Sequence, residues 1–293
     1  MIKPLHNLRV LCDSVAKNSK PILNTKGDVM GLLDGKKALI FGVANKDSIA
    51  WGIARMLHTY GALVGFSSIA ELLERRVRPL AQAIGSTFVE PCDVQSDDQI
   101  AAVFAKWQAA HGDLDILVHA LAFANRDELA GSFLHTSREG FRLALDISAY
   151  SLTALVKAAQ DLLHAGSSVM TMTYYGAEKV IPHYNVMGVA KAALEASVRY
   201  LAADLGPRGI RVNAISAGPV RTLAAAGISG FKDMYRRFKD VTPLRQNVTP
   251  EDVGKTAVWL ASDLSSNVTG EVIYVDGGMN ILGLSVPPGK DEG

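Results

Sequence analysis

Two tyrosine–lysine pairs lie close together in the segment TMTYYGAEKVIPHYNVMGVAKA at residues 171–192. Tyr175 and Lys179 are four residues apart, whereas Tyr184 and Lys191 are seven apart. A phenol can donate a hydrogen bond to an oxygen that gains negative charge during a reaction, and a lysine ammonium can stabilise the same charge. Either pair could therefore assist chemistry at a carbonyl group. The secondary structure predicted for each pair decides which of the two is the functional one.

The first pair has the letters of the Tyr-x-x-x-Lys signature of short-chain reductases, but it lacks the helix that the signature requires. Tyr175 lies at the end of a predicted strand, and Gly176 follows it directly. Pro182 comes soon after and would interrupt any helix that placed Tyr175 and Lys179 on one face. We interpret the match of YGAEK to the signature as a coincidence.

The second pair lies in the segment 183–205, which has the period and composition of a helix. Seven residues are nearly two turns, so the sequence predicts both side chains on one face, roughly 10 Å apart. An extended ligand could contact both groups. A surface lysine with a tyrosine at the edge of the core is the alternative. The position beside the end of a strand favours Tyr184 and Lys191 as the functional pair.

Short apolar runs alternate with amphipathic segments along most of the chain. The predicted strands are 36–42, 62–68, 86–94, 114–122, 167–174, 209–216 and 271–278. The predicted helices are 48–61, 70–85, 97–112, about 137–164, 183–205 and 250–262. Apolar strands that alternate with helices indicate an α/β fold, a single Rossmann-type doubly wound parallel sheet of about seven strands with helices on both faces. Ligands bind such a sheet at the carboxyl ends of its strands.

The loop after the first strand reads GVANKDSIAWGIA at 42–54 and suits a dinucleotide. Gly42 permits a tight turn, and Ser48 opens a helix whose free N–H groups can bind a pyrophosphate. We expect Gly52 to let that helix lie close to the sheet. An ordinary strand–loop–helix unit with a serine N-cap is the alternative.

Two further segments bear on the nucleotide. Asp93 and Val94 lie at the end of the third predicted strand, where Asp93 could accept a hydrogen bond from adenine; a turn or cap aspartate is the alternative. The end of the second strand reads FSSIAELLERR and has no cation for a 2′-phosphate. We expect Arg75 and Arg76, which come later, to face solvent. The missing cation favours NADH over NADPH.

Together these segments resemble a known family over about residues 31–285. The motifs that carry the resemblance are GVANKDSIAWGIA (42–54), CDV (92–94), YNVMGVAKA (184–192), RVNAISAGPVRTLAA (211–225) and GEVIYVDGG (270–278). They resemble the NADH-dependent enoyl-acyl-carrier-protein reductases of type II fatty acid synthesis, within the short-chain dehydrogenase/reductase superfamily. The resemblance implies a homotetramer that reduces the double bond of a trans-2-enoyl thioester carried on acyl-carrier protein.

The resemblance also implies a role for individual residues. The catalytic residues would be Tyr184, which would hydrogen-bond the thioester carbonyl, Lys191, which would hold the nicotinamide ribose, and Tyr174, near the reacting carbon. Tyr174, Tyr184 and Ala122 would line the acyl pocket. The cofactor-contacting positions would be Gly42, Ser48, Ile49, Asp93, Val94, Ala120, Lys191, Val220 and Thr222. The segment 218–238 would be a mobile substrate-binding segment. Its basic residues Lys232, Arg236 and Arg237 would face the acidic carrier protein or, alternatively, form a solvated helix face.

Two other functions remain open at this point. An NADPH-dependent 3-ketoacyl or other carbonyl reductase would use Tyr175 and Lys179 in place of Tyr184 and Lys191. A dinucleotide-binding regulator would keep the fold without catalysis. The first predicts reduction of acetoacetyl thioester and tolerance of Tyr184→Phe. The second predicts NADH binding without turnover of crotonyl thioester.

Composition limits the partners and the location. The 293 residues carry a net charge of +1 with scattered basic residues, which argues against a nucleic-acid partner. No uncharged apolar run is long enough to span a bilayer. Two cysteines and seven histidines without ligand spacing predict a reduced, metal-free, cytoplasmic protein. We expect residues 1–30 to be a disordered or non-native extension, with a transit peptide as the alternative, and 286–293 to be a tail.

Overall fold

The computed structural model describes residues 31–222, 225 and 230–283, where seven parallel strands form one sheet in the order β3-β2-β1-β4-β5-β6-β7. The strands are β1 (Lys37–Phe41), β2 (Leu63–Ser68), β3 (Val89–Pro91), β4 (Leu114–His119), β5 (Leu163–Thr173), β6 (Arg211–Ala217) and β7 (Val272–Val275). The predicted doubly wound sheet is confirmed. The expected extension 1–30 and tail 286–293 lie outside the described residues.

Helices connect consecutive strands. They are α1 (Ile49–Thr59), α2 (Ala70–Ala83, with a π-helical turn at Leu73–Val77), α3 (Asp97–His111), α4 (Arg138–Leu145), α5 (Ser151–Ala159), α6 (Val186–Leu205), α7 (Phe231–Val241) and α8 (Pro250–Ala261). A π-helical turn, Asp146–Tyr150, joins α4 to α5. None of the helices in the described ranges combines the length and hydropathy that a bilayer span requires.

Apolar side chains fill two cores, one on each face of the sheet. Helices α1, α2 and α8 cover one face, and α3, α5 and α6 cover the other. Strands buried on both faces explain the continuous apolar runs of the sequence. A third, smaller cluster contains Ala144, Tyr184, Val186 and Met187 and lies beside the start of α6.

The boundary between the predicted helix 137–164 and the strand that follows was wrong. The helix ends at Ala159, and β5 already begins at Leu163, which pairs with Leu114 of β4. The next pair is Ser168 with Ile116, so β5 carries extra residues that bulge out of the ladder, and Gly166 there adopts a φ of +92°. Apolar residues continue across this junction, so helical periodicity did not mark its end.

The strand order reverses between β1 and β4, which are neighbours although two other strands separate them in sequence. The chain leaves β1 toward one face of the sheet and leaves β4 toward the other, which opens a crevice at their carboxyl ends. The predicted functional residues come from the segments that follow β1, β3, β4, β5 and β6, so the topology gathers them at this edge.

Candidate active site at the carboxyl edge of the sheet

Gly42 begins the turn after β1 and could not be replaced by a larger residue without a shift of backbone. Its φ is +104°, and a Cβ added there would lie 2.2 Å from the carbonyl oxygen of Ala120. Ala120 itself donates its N–H to the carbonyl oxygen of Phe41 at 3.0 Å. The segments that leave β1 and β4 therefore meet backbone to backbone, and the turn at this contact is called the Gly42 cradle below.

Ser48 caps the N-terminus of α1. Its hydroxyl accepts a hydrogen bond from the N–H of Trp51 at 3.3 Å and donates one to the carbonyl oxygen of Asn45 at 2.7 Å. Among the described residues, no acceptor faces the N–H of Ile49. A helix N-terminus with a free amide beside the Gly42 cradle fits a pyrophosphate.

Gly52 contacts a helix, not the sheet as the sequence led us to expect. A Cβ at this position would lie 2.4 Å from the carbonyl oxygen of Pro250, the first residue of α8. Gly254 makes the reciprocal approach, since its Cβ would lie 2.7 Å from the carbonyl oxygen of Gly52. The two glycines therefore let α1 and α8 pack closely against each other and fix α1 in place.

The segment after β3 presents one buried and one exposed residue at the predicted adenine position. Val94 is buried, whereas Asp93 is exposed and its Oδ1 accepts a hydrogen bond from the N–H of Gln95 at 3.0 Å. Asp93 therefore forms a local turn, the alternative that the sequence left open. Because Asp93 is exposed, an adenine amino group could still reach its carboxylate.

The end of β2 offers no cation to a 2′-phosphate. Ser68 is buried and donates to the carbonyl oxygen of Val43 at 3.3 Å, and the next residue, Ile69, is 43% exposed. Arg75 and Arg76 are exposed within the π-helical turn of α2, as predicted.

Four residues that the sequence predicts to contact cofactor or substrate follow strands β4 and β6 at this crevice. Ala120 is half-buried directly after β4, and Ala122 is exposed two residues later. Val220 is buried after β6, and the Thr222 hydroxyl accepts a hydrogen bond from the N–H of Ala225 at 3.1 Å. The structure thus brings small or apolar side chains to the crevice beyond β4 and β6.

Lys191 lies on the second turn of α6 and is 4% exposed. Its Nζ donates to the carbonyl oxygen of Met172 at 2.8 Å and to that of Leu121 at 3.4 Å. Burial lowers the pKa of Lys191 to about 8, against the opposing effect of the Glu195 carboxylate. The ammonium is therefore held between the ends of β4 and β5 and keeps a donor for a ligand in the crevice.

Tyr184 does not lie on α6, so the prediction of two side chains on one helical face was wrong. The helix begins at Val186, and the two residues that flank Tyr184 have positive φ values, 63° at His183 and 39° at Asn185. The Asn185 side chain donates to the carbonyl oxygens of Glu128 and Gly131 at 3.4 and 3.3 Å. These hydrogen bonds stabilise the turn that contains Tyr184. Lys191 follows this turn on α6, so both residues of the pair still belong to one continuous segment.

The Tyr184 ring packs edge to face on Tyr174, with ring centroids 5.0 Å apart. Gly176 lies beneath the ring, since a Cβ there would fall 2.4 Å from Tyr184 Cδ1. Burial raises the pKa of Tyr184 and raises that of Tyr174 to about 12, so both phenols keep their protons at neutral pH. Among the described residues, no hydrogen-bond partner meets the Tyr184 hydroxyl, which leaves it free to donate.

The other tyrosine–lysine pair points elsewhere. The backbone forms one 3₁₀ turn, Tyr175–Ala177, and no longer helix before Pro182, as predicted. The Tyr175 hydroxyl donates to the carbonyl oxygen of Asn280 at 3.4 Å, and Lys179 is exposed. Tyr175 thus contacts the segment after β7 instead of presenting its hydroxyl beside Lys191.

The sequence did not reveal several residues that shape the site. Glu195 is buried on α6 and accepts a hydrogen bond from the Thr173 hydroxyl at 2.6 Å. His119 is fully buried at the end of β4, with Nδ1 2.7 Å from the Thr171 hydroxyl and Nε2 2.8 Å from that of Ser151. Burial lowers the pKa of His119 to about 3. In the sequence, each is one polar residue among mostly apolar neighbours. The structure identifies them as part of the site because it shows that both are buried.

The predicted substrate-binding segment 218–238 overlaps α7, while residues 223–224 and 226–229 lie outside the described residues. Lys232, Arg236 and Arg237 are exposed on α7. Arg236 forms a 2.6 Å ion pair with Asp233 of the same helix.

Comparison with known proteins gives one family. A family model described as enoyl-(acyl carrier protein) reductase matches residues 42–280. The chain is 52% identical over 261 residues to enoyl-(acyl-carrier-protein) reductase (NADH) 1 of Rhizobium meliloti, a match that covers 89% of this chain and 96% of that protein. It is also 52% identical over 255 residues to the NADH-dependent enzyme of the same description from Rickettsia prowazekii, which covers 87% of this chain and 98% of the relative.

Solved structures agree with the sequence matches. The Bacillus cereus enoyl-acyl carrier protein reductase, crystallised with NADP+ and indole naphthyridinone, superimposes with a TM-score of 0.85 at 52% identity and covers 87% of this chain and 100% of that one. The Anaplasma phagocytophilum enzyme in complex with NAD superimposes with a TM-score of 0.84 at 48% identity and covers 87% of this chain and 98% of that one.

Proposed function

The chain belongs to the enoyl-(acyl-carrier-protein) reductase family, and we infer from this membership that it uses NADH to reduce the carbon–carbon double bond of a trans-2-enoyl thioester on acyl-carrier protein. The reaction is the last reductive step of fatty acid elongation. One observation carries the catalytic part of the proposal: a protonated, unpartnered phenol at Tyr184 lies in the same segment as the buried ammonium of Lys191.

The proposed chemistry depends on the negative charge that develops on the thioester oxygen. When bound, NADH supplies a hydride to the substrate carbon β to the thioester. The electrons of the double bond then move onto the thioester oxygen to give an enolate. The carbonyl re-forms as the α carbon takes a proton from solvent, which completes the saturated product. Tyr184 donates a hydrogen bond to that oxygen as its negative charge develops, which stabilises the transition state more than the substrate. Tyr174, whose ring packs on Tyr184, lines the acyl pocket together with Ala122.

The cofactor position is proposed from the other residues of the crevice. Lys191 holds the ribose hydroxyls beside the nicotinamide, and the Gly42 cradle with the N-terminus of α1 at Ser48 and Ile49 binds the pyrophosphate. Asp93 and Val94 lie at the adenine. Ala120, Val220 and Thr222 line the nicotinamide end. The close backbone approach at Gly42 and the free amide of Ile49 support this assignment.

Preference for NADH has a structural basis at the end of β2. Ser68 and Ile69 present no positive charge there, so a 2′-phosphate would lose its hydration without gaining an ion pair. The 2′-hydroxyl of NADH carries no such cost.

The partners form a further part of the proposal. The face of α6 that turns away from the core carries Val189, Ala196 and Tyr200, with Tyr200 77% exposed, and all four residues of β7 are half-buried at the sheet edge. These apolar surfaces suit contacts between copies of a homotetramer in the cytoplasm. The basic residues Lys232, Arg236 and Arg237 of α7 suit the acidic carrier protein.

The test is an absorbance assay with crotonyl thioester and either NADH or NADPH. We expect NADH to be oxidised preferentially, and Tyr184→Phe to lower kcat/KM about 100-fold or more. Tyr175→Phe is the matched control and should retain activity. Reduction of acetoacetyl thioester by NADPH with tolerance of Tyr184→Phe would identify a carbonyl reductase instead. NADH binding without turnover of any of these thioesters would identify a regulator.

A further inference from the structure

Glu195 is a buried carboxylate that the proposed chemistry does not use. It lies on α6 one turn after Lys191 and is 7% exposed. Its Oε1 accepts a hydrogen bond from the Thr173 hydroxyl at 2.6 Å, and among the described residues it forms no ion pair. A carboxylate without a direct ion pair is costly to bury, so its retention beside the crevice calls for a function.

Glu195 and Lys191 attach α6 to consecutive residues of β5. Lys191 Nζ donates to the carbonyl oxygen of Met172 at 2.8 Å, and Glu195 Oε1 accepts from the hydroxyl of Thr173. Tyr174 is the next residue along the chain. The two charged side chains, i and i+4 on one helical face, therefore align the end of β5 with the start of the segment that carries the tyrosines.

Charges from several elements act on this pair. Glu195 is influenced by Lys191 and Arg199 of α6 and by Glu178 from the segment after β5. The charge of Lys191 also acts on His119 of β4, whose imidazole is neutral because burial lowers its pKa. The negative charge of Glu195 also raises the pKa of Tyr184. Glu195 is therefore the carboxylate that acts on both members of the functional pair.

The effect on Lys191 has a definite sign. Burial lowers the pKa of Lys191 to about 8, and the negative charge of Glu195 opposes that decrease. Burial raises the pKa of Glu195 above its ordinary value, and the hydrogen bond from Thr173 limits that rise by favouring the ionised carboxylate. Without the negative charge, Lys191 would lose its proton at a lower pH, and a neutral amine is a poorer donor to ribose oxygens.

We infer that Glu195 is a positioning residue that keeps Lys191 charged and aligned for the cofactor, acting through its negative charge one helical turn away. The inference rests on the proposed role of Lys191 in holding the ribose. It assigns no contact with substrate or cofactor to Glu195 itself.

The test is NADH binding by fluorescence titration from about pH 6 to about pH 9.5. In the wild type, affinity should fall as Lys191 loses its proton. In Glu195→Gln, which keeps the shape but removes the charge, the midpoint of that fall should move down by about one pH unit. Glu195→Asp keeps the charge and should keep a midpoint close to that of the wild type.

A second pair of variants with shorter side chains, Glu195→Asp and Glu195→Asn, makes the test independent of Glu195→Gln. Asp and Asn at position 195 have the same shape but differ in charge, so Glu195→Asn should show the lowered midpoint that Glu195→Asp lacks, even if Glu195→Gln fails to fold. A midpoint that stays at the wild-type pH in the neutral variants overturns the inference. A merely structural role would weaken binding equally at every pH and leave the midpoint unchanged.

Lys191→Met separates the two levels of the proposal. If this variant binds NADH with the wild-type affinity and pH profile, the role proposed for Lys191 fails, and the inference about Glu195 fails with it. If Lys191→Met binds weakly and loses the pH dependence while Glu195→Gln keeps the wild-type midpoint, only the inference about Glu195 is wrong.

Discussion

The ring of Tyr174 meets the ring of Tyr184 edge to face, with centroids 5.0 Å apart and an interplanar angle of 76°. Tyr174 extends directly from the end of β5, so it fixes the Tyr184 ring relative to the sheet. The Tyr174 hydroxyl lies 3.8 Å from Met234 Sδ of α7, a weak contact. The ring of Tyr174, more than its hydroxyl, therefore orients the proposed hydrogen-bond donor.

Substitutions of Tyr174 should separate its ring from its hydroxyl. Tyr174→Phe keeps the edge-to-face contact, and we expect its kcat with crotonyl thioester to fall less than about 5-fold. Tyr174→Ala removes the ring, frees Tyr184 to rotate and should lower kcat about 10-fold or more. NADH affinity, measured by fluorescence, should change little in either variant. A larger loss in Tyr174→Phe than in Tyr174→Ala would contradict this role and point to the hydroxyl.

Gly176 lies against the Tyr184 ring, and a single methyl group there should disturb the ring. A Cβ there would lie 2.4 Å from Tyr184 Cδ1, so Gly176→Ala must displace the ring. We expect kcat/KM to fall about 10-fold or more while NADH still binds. Gly206→Ala is the matched control, since nothing lies within 4 Å of a Cβ there, and its activity should equal that of the wild type. Equal activities in both variants would show that the ring position does not limit catalysis.

Most of the fold follows from the sequence because buried strands and amphipathic helices have different periods. All seven strands were predicted, and the order of the sheet agrees with right-handed crossovers. The errors fall where an apolar pattern crosses a boundary. Leu162 and Leu163 are both buried, so nothing in the pattern separates the end of α5 from the start of β5. The bulge at Gly166 depends on how β5 pairs with β4, so the sequence of β5 alone does not predict it.

The site was harder to predict because tertiary contacts set its backbone. The segment HYNVMGVAK has helical periodicity from its first residue, yet Asn185 adopts a φ of 39° and delays the helix to Val186. With a ψ of −120°, Asn185 lies outside the left-handed helical region, and its side-chain hydrogen bonds to the carbonyl oxygens of Glu128 and Gly131 stabilise this unusual conformation. Glu195 and His119 were not identified, since a lone polar residue in an apolar run gives no signal until its burial is known.

Lys191 should lower the stability of the protein while it aids cofactor binding. Its pKa is about 8 in the folded protein and has an ordinary value of 10.5, so between these values the unfolded chain binds the extra proton. The free energy of unfolding should therefore rise with pH through this window because of Lys191. Lys191→Met removes the buried charge and should stabilise the protein at pH 7 by on the order of 1–2 kcal/mol, with a smaller gain near pH 10.

Denaturant unfolding at these two pH values would measure the effect of Lys191→Met. Lys179→Met is the matched control, since Lys179 is exposed and should leave stability unchanged at both. A loss of stability in Lys191→Met at pH 7 would mean that the hydrogen bonds of Nζ to Met172 and Leu121 outweigh the cost of burying the charge.

His119 should make the fold sensitive to acid. Its hydrogen bonds suit a neutral ring: Ser151 donates its hydroxyl to the carbonyl oxygen of Ile147 at 2.6 Å, so His119 Nε2 must donate to Ser151, and Nδ1 accepts from Thr171. Burial lowers the pKa of His119 from 6.5 to about 3, so in this window the unfolded chain binds the extra proton and stability falls as the pH falls.

His119→Asn should be less stable than the wild type at pH 7, by about 1–3 kcal/mol, because the two hydroxyls lose their fitted partner. Its free energy of unfolding should nevertheless fall less steeply between about pH 6.5 and pH 4. Denaturant unfolding across that range would compare the slopes, with His58→Asn as the control because that histidine is exposed. Equal slopes in wild type and His119→Asn would mean that the imidazole can accept a second proton in place, with Thr171 turning to accept a hydrogen bond from it.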